Sequence, residues 1–482
     1  MYFVKSLLRK VLPENTFVRS VAVLSSGTAG AQVLMLLAAP VLARLYTPED
    51  FGLLAVFASV LSILSIVASL RYELAIPIAD DDGVASHVVV LCLFTTVFMS
   101  LLTAVFVLLG GEWLVRVLNL SQLDNYLWLL PIGVILIGVY QALNYWAVRE
   151  KAFTRISGTK ITQSVTSLLV QLSCYKFGPL GLLAGYIVGQ FAGTARLAKS
   201  FLANPHLPKT SAIDVKNAVI RYKRFPQFST WSGLVNTSGH QFAPLVLAAF
   251  FGVGVAGWYA LANRVVAMPA TLIGGAVGNV FFAHAAQAKR DNELASLVEA
   301  VQAKLIALAL PVTIIFFLVG PEIFAWIFGK EWRIAGELAR WLVFSSFAGF
   351  LISSLSTLFS VLERQKLGLL LQIGLFVSRV TALVIGVMLQ DLVQAIMLYA
   401  LGGVFGYCIY LFAINICSGA SAKKFLKALS TYFALSIMVC LPIIMLKLID
   451  NVSEWVLVGV LSSLAMLVVY YFLLAKSFLY SK

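Results

Sequence analysis

Long apolar runs separated by short polar turns fill this chain from end to end. Crossing the hydrocarbon core of a bilayer takes about 20 apolar residues in a helix, and about fourteen such runs follow one another, from Val18–Leu42 to Trp455–Leu474. The runs are continuous and do not alternate, which argues against a membrane β-barrel. The pattern predicts an all-α integral membrane protein. Polar side chains inside the runs fall on stripes, because helix neighbours recur every three or four residues. One stripe is Asn236 and His240 with Gln241 beside it. Others are Ser164 and Gln171, Gln32 near Gly27 and Gly30, and Gln372 two turns before Arg379.

The polar pattern also carries an internal duplication. Leu42, Ala43, Tyr46, Gly52 and Ala55 match Leu247, Ala248, Phe251, Gly257 and Ala260 at an offset of roughly 205. Gly110 and Glu112 match Gly320 and Glu322, and Arg149, Lys151, Thr166 and Leu168 match Arg364, Lys366, Thr381 and Leu383. A unit of six spans returns the chain to its starting side. Two such units share one orientation and are related by an axis along the membrane normal. The expected division is an interfacial helix over residues 1–17, a first lobe over 18–201 and a linker over 202–230. A second lobe covers 231–416, and two extra spans with a tail cover 417–482.

Composition sharpens this picture. The chain has 482 residues, 61% of them hydrophobic and 12% charged, which excludes an ordinary soluble domain. Its net charge of +14 suggests nucleic acid only until the charges are placed. With the N-terminus in the cytoplasm, roughly 26 Lys and Arg fall inside and about 7 outside, a strong positive-inside pattern. Both termini then lie in the cytoplasm. The five cysteines lack metal or redox spacing and read as small buried hydrophobes. No cofactor or metal is expected, and no nucleic-acid partner.

Two charges break the apolar pattern. Arg264 and Arg379 lie deep inside runs, at positions where the duplication places Ser59 and Ser164 in the first lobe. A cation at bilayer depth costs a few kcal/mol or more unless it meets water, a partner or a ligand. No Asp or Glu lies deep in any run, so an acidic partner is not at hand. The bland alternative is a structural lock onto a helix-end carbonyl. The chemistry that best fits two such guanidiniums is a phosphate, bound by paired hydrogen bonds at any relevant pH. Asn263, Asn236, His240, Gln241, Gln372, Gln32, Ser164 and Gln171 are candidate polar cavity residues around them. For the serine stripes, helix packing is the more economical reading, and His240 alone reads better as a bonded core residue than as a proton carrier. Arg44, Arg71, Glu73, Arg149 and Lys151 sit near span ends and are candidate gate residues, although the positive-inside rule alone accounts for the basic ones.

Several segments are familiar. "LARLYTPEDFG", "RYELAIPIADDD", "YWAVREKAF", "RYKRFPQFST", "FGKEWRIAGELARWL" and "LERQKLG" resemble the Wzx-type O-antigen and exopolysaccharide flippases, over about the first twelve spans. That group belongs to the superfamily of MATE multidrug exporters and the lipid II flippase. The resemblance implies two six-helix lobes around a cationic cavity, in the bacterial inner membrane. It implies an undecaprenyl-diphosphate-linked oligosaccharide as cargo, with Arg264 and Arg379 in the position to hold the diphosphate. It also implies membrane lipids, a polysaccharide polymerase and a chain-length regulator as partners, and no enzymatic activity. The competing readings are a cation-coupled exporter, which needs buried carboxylates, and a polysaccharide polymerase, which usually shows a large external loop.

Overall fold

The computed structural model describes residues 16–118, 121–203, 211–449 and 453–480. Among the described residues there are helices and turns and no strand. The expected interfacial helix over residues 1–17 lies almost wholly outside them. By its internal contacts the chain forms two compact units, Met1–Gly257 and Trp258–Lys482.

The first unit contains α1 (Thr16–Leu45), α2 (Pro48–Ala68), α3 (Asp82–Leu118), α4 (Leu129–Arg149), α5 (Phe153–Ser173) and α6 (Pro179–Leu202). A short helix α7 (Ala212–Arg221) and the long α8 (Thr230–Phe251) complete it. Thr47 starts α2 with a capping box: its hydroxyl accepts from Asp50 N at 3.3 Å while Asp50 Oδ2 accepts from Thr47 N at 3.0 Å. Pro48, with no N–H to leave orphaned, takes the first position. The inner face of α2, Leu53, Val56, Phe57 and Leu61, buries against Leu130 and Val134 of α4 and Leu183 and Ile187 of α6.

Helix α9 (Val253–Val266) runs across the division between the units. Its start crosses the start of α2 at two glycines. A Cβ on Gly52 would lie 1.8 Å from the Val253 carbonyl oxygen, and a Cβ on Gly257 would lie 1.9 Å from the Pro48 carbonyl oxygen. Nothing larger than hydrogen fits at either site. The sequence places the lobe boundary between residues 202 and 230; contacts place it after Gly257, because α8 packs along α2.

The second unit continues with α10 (Gly275–Arg290), α11 (Leu294–Phe328), α12 (Arg333–Leu355), a single turn at Leu358–Val361, α13 (Gln365–Met388), α14 (Leu392–Ser418), α15 (Ala422–Ile449) and α16 (Ser453–Tyr480). The run expected as one span over Val255–Phe282 is broken. After α9 comes Pro269, then a π-helical turn at Ala270–Gly274, then α10. Helix α11 bends at Val319, φ −131°, next to Gly320 and Pro321. Proline cannot donate to the carbonyl one turn back, so the bend is expected there. Lys447 of α15 donates to the Leu318 carbonyl at that bend, 2.5 Å away. The core of this unit includes Phe281, Val298, Ile306, Phe350, Leu355 and Ile414.

Among the described residues nine helices are long and apolar enough to cross a membrane. Large apolar side chains cover the outside, with Leu108 82% and Leu109 85% exposed. This surface suits lipid and not water. The remaining long helices, α5, α6, α8, the broken α9–α10 and α16, fall outside that set. Multi-pass membrane architecture thus follows from composition and exposure together.

Candidate functional site

Arg379 lies on α13, which packs along α14. Close approach is set by small residues on α14. A Cβ on Gly402 would lie 2.8 Å from the Ser378 carbonyl oxygen. A Cβ on Gly403 would lie 2.3 Å from Ser345 Oγ and 3.0 Å from Arg379 Nε. Glycine at 403 therefore leaves the channel through which the arginine side chain passes. Its Nη2 donates to Ser345 Oγ of α12 and to Tyr407 Oη of α14, both at 3.0 Å. The guanidinium carbon sits 4.8 Å from the Tyr407 ring centroid and 5.7 Å from that of Tyr399. Arg379 Nε is buried without an acceptor among the described residues. A guanidinium carries five N–H donors, so the two on Nη1 remain for a ligand.

The cage continues to α9. Tyr259 packs edge-on against Tyr399, with centroids 6.3 Å apart and planes at 73°. Tyr259 is buried, and Arg264 follows it on the same helix, about 7.5 Å farther along the axis. Arg264 is in the last turn of α9, where a cation is favoured by the helix dipole. Its side chain is exposed, as is that of Asn263. Among the described residues it has no hydrogen bond and no ion pair. Just beyond it, Val265 and Val266 form one wall of an apolar cavity of about 230 Å³, closed by Pro269, Phe316, Phe347 and Tyr471.

The other predicted residues separate by environment. Gln372 is exposed on α13, two turns before Arg379. In the first unit, Gln32, Asn236 and His240 are exposed, and Ser164 is half-buried. Gln241 accepts from Ser59 at 2.9 Å. Gln171 is buried between α5 and α6: its Nε2 donates to the Leu182 carbonyl at 3.3 Å, and its own carbonyl accepts from Tyr46 at 2.6 Å. It serves there as an interhelical bond. Arg44 and Lys151 are exposed. Arg149 clamps the loop after α2, donating to the carbonyls of Ile76 at 3.2 Å and Ala79 at 2.7 Å and to Asp82 at 2.8 Å.

Glu73, expected near the membrane surface, is only 1% exposed. It accepts from Ser69 at 2.5 Å and lies 3.6 Å from Arg71, whose backbone is left-handed at φ 62°. Burial pushes its carboxyl up from the ordinary range, opposed by the Ser69 hydrogen bond and by Arg71.

A family model described as polysaccharide biosynthesis protein matches residues 41–336, more than half of the chain. The chain belongs to this family. The succinoglycan biosynthesis transport protein ExoT of Rhizobium meliloti (strain 1021) is 26% identical over 325 residues, covering 66% of this chain and 63% of that protein. Among solved structures, the lipid II flippase MurJ in an inward closed conformation superposes with a TM-score of 0.72. That match covers 95% of this chain and 99% of MurJ at 13% identity. An inward-facing MATE family multidrug transporter of the MOP superfamily gives 0.61, covering 83% and 96% at 16% identity. The fold is therefore the one shared by these two solved structures, and the relatives named here are described as transport proteins.

Within this family member, the sequence reading missed Ser345, Tyr399 and Tyr407. Their signal was present as the spacing Tyr399, Gly403, Tyr407, which puts two rings on either side of a gap on one helix face. Arg340 on α12 was missed too. Its Nε is buried without an acceptor among the described residues, and it sits at a span end where sequence assigns no depth.

Proposed function

We propose that this protein is a flippase. It carries an undecaprenyl-diphosphate-linked oligosaccharide repeat unit from the cytoplasmic to the periplasmic leaflet of a bacterial inner membrane, for O-antigen, capsule or exopolysaccharide synthesis. Its termini lie in the cytoplasm. Arg264 and Arg379 bind the diphosphate. The observation that carries this reading is Arg264: an intramembrane guanidinium with no protein partner among the described residues, on a helix whose neighbour Tyr259 leads to the Arg379 cage. Arg379 supports it with a guanidinium whose hydrogen bonds among the described residues use Nη2 alone. The apolar cavity next to Val265 suits hydrocarbon and not sugar. Family membership and the MurJ-like fold raise the same reading by analogy.

A cation-coupled exporter of small molecules needs a free carboxylate at depth. Glu73 is the buried acid among the described residues, and it is engaged by Ser69 and Arg71. The deciding experiment is complementation of a deletion strain, with surface polysaccharide and membrane-inserted protein measured together. Arg264→Ala should remove the polysaccharide and leave the protein in the membrane. Normal polysaccharide in that strain would end the diphosphate reading. A gain of sensitivity to cationic drugs on deletion, with polysaccharide intact, would favour the exporter.

A further inference from the structure

Helix α7 is unlike the spanning helices. It is ten residues long and amphipathic, and a capping box fixes its start: Asp214 N donates to Ser211 Oγ at 3.3 Å, and Ser211 N donates to Asp214 Oδ2 at 3.0 Å. One face is anchored to the beginning of α3. Asp214 Oδ2 lies 3.8 Å from His87 Nε2. Arg221 pairs with Asp80. Ala218 and the following Tyr222 are buried in a cluster with Ala85, Val88 and Val89 of α3. These contacts hold α7 at the level where the apolar run of α3 begins, which is the depth of lipid headgroups.

The opposite face has no protein cover among the described residues. Ile213 is 70% exposed and Ile220 56% exposed, one heptad apart on one stripe. Lys216 and Asn217 lie between them, and Lys223 and Arg224 follow, all exposed. A π-helical turn, Phe225–Ser229, then leads to two exposed aromatic residues, Phe228 and Trp231. Aliphatic side chains interleaved with cations mark a helix lying in an interface, and aromatic rings collect at that depth. The helix's own acid does not offset the cations: Asp214 is taken by Ser211 and His87, and the Ser211 hydrogen bonds hold its carboxyl below the usual range.

We propose that the outer face of α7, with Phe228 and Trp231, is a docking surface for anionic phospholipid. Headgroup phosphates pair with Lys216, Lys223 and Arg224, and Ile213 and Ile220 insert among the upper acyl carbons. Cations favour an anionic lipid over a zwitterionic one, and the exposed isoleucines favour a lipid over a soluble anion. The surface shares no residue with the Arg264 and Arg379 site and does not depend on the cargo assigned to it.

The test uses the full-length protein in phosphatidylcholine nanodiscs with and without phosphatidylglycerol. Hydrogen exchange should slow over residues 211–224 when phosphatidylglycerol is present, and high salt should reverse the effect. Equal exchange in both lipids overturns the proposal. In detergent, phosphatidylglycerol should raise the unfolding temperature more than phosphatidylcholine does. The triple variant K216Q/K223Q/R224Q should weaken that response by roughly fivefold per basic side chain removed. An unchanged response in the triple variant overturns the assignment of these residues. Protection of the same segment by inorganic phosphate alone also overturns it, because the surface would then be a soluble-anion site. The exchange measurement on the unmodified protein needs no variant to fold.

Discussion

Arg379 and Arg264 carry the same charge in the same compact unit and live in opposite surroundings. Arg379 is held by two hydroxyls, flanked by two rings and threaded past a glycine. Arg264 is exposed and without a protein partner among the described residues. The difference teaches how a membrane protein keeps guanidiniums at depth in two ways. Around Arg379, ring faces and hydroxyls offset desolvation, with cation–π contact worth about 2 kcal/mol where water is excluded. The side chain is thereby preorganised, and little rotamer freedom is left to lose on binding. Arg264 instead depends on water or a ligand for its stability. One arginine is a bonded guanidinium and the other an unpartnered charge among the described residues.

The comparison is broken most directly by removing each charge. Both Arg264→Ala and Arg379→Ala should cut transport by about 10- to 100-fold, the loss of a charge-assisted bond to phosphate. Stability should split them. Arg379→Ala leaves the hydroxyls of Ser345 and Tyr407 without their partner and should destabilise by about 1–3 kcal/mol. Arg264→Ala removes an unpartnered cation and should leave the unfolding temperature in detergent unchanged or higher. If both variants lose equal stability, Arg264 has a structural partner and the contrast fails. Lysine replacements should come next in size. Arg379→Lys loses the planar guanidinium whose Nη2 donates to Ser345 and Tyr407 and whose face lies by the rings, so it should behave nearly as alanine does. Arg264→Lys keeps the charge and should retain a measurable part of the surface polysaccharide.

A smaller effect tests the channel for the bonded arginine. Gly403→Ala puts a methyl group 2.3 Å from Ser345 Oγ and 3.0 Å from Arg379 Nε. The Ser345 contact is too short to stand, so the cage must open, at a cost of about 1–3 kcal/mol from overpacking. Transport should fall with it. Gly275→Ala, where a Cβ meets nothing within 4 Å, is the matched control and should be silent in stability apart from helix propensity.

The same contrast explains what was legible in the sequence. A cation interrupting an apolar run was legible, and Arg264 and Arg379 stand on α9 and α13 as such interruptions. Gly52 and Gly257, matched with each other in the sequence, both mark the tight crossing at the starts of α2 and α9, Gly52 on the carbonyl of Val253 and Gly257 on the carbonyl of Pro48. Partners were not legible. Ser345 and Tyr407 lie 34 and 28 residues from Arg379, on other helices, and helix periodicity says nothing about which faces meet. The break after Arg264 was only hinted at by Pro269 and Gly274, since proline in a membrane helix bends some helices and interrupts others. Burial of Glu73 was hidden because its position near a span end says nothing about cover by neighbours.

The smallest expected effect is the sharpest probe of the bonded guanidinium. Tyr407 gives Arg379 two things, an oxygen at 3.0 Å and a ring face at 4.8 Å, whereas Tyr399 gives only a face at 5.7 Å. Tyr407→Phe deletes the oxygen and keeps the face. The loss is one hydrogen bond of the two that Nη2 makes, about 0.5–1.5 kcal/mol net. Ser345 still holds Nη2, so stability should move toward the low end and transport should fall severalfold, not to zero. Tyr399→Phe touches no bond to Arg379 and should leave transport within a factor of about two. Tyr407→Leu removes both contributions, and its excess over Tyr407→Phe measures the ring alone. None of these changes should alter the response to Arg264→Lys, because Arg264 does not rest on the cage. Should Tyr407→Phe and Arg264→Lys prove strongly non-additive, the two arginines act as one clamp, and the division into a bonded guanidinium and an unpartnered charge would have to be given up.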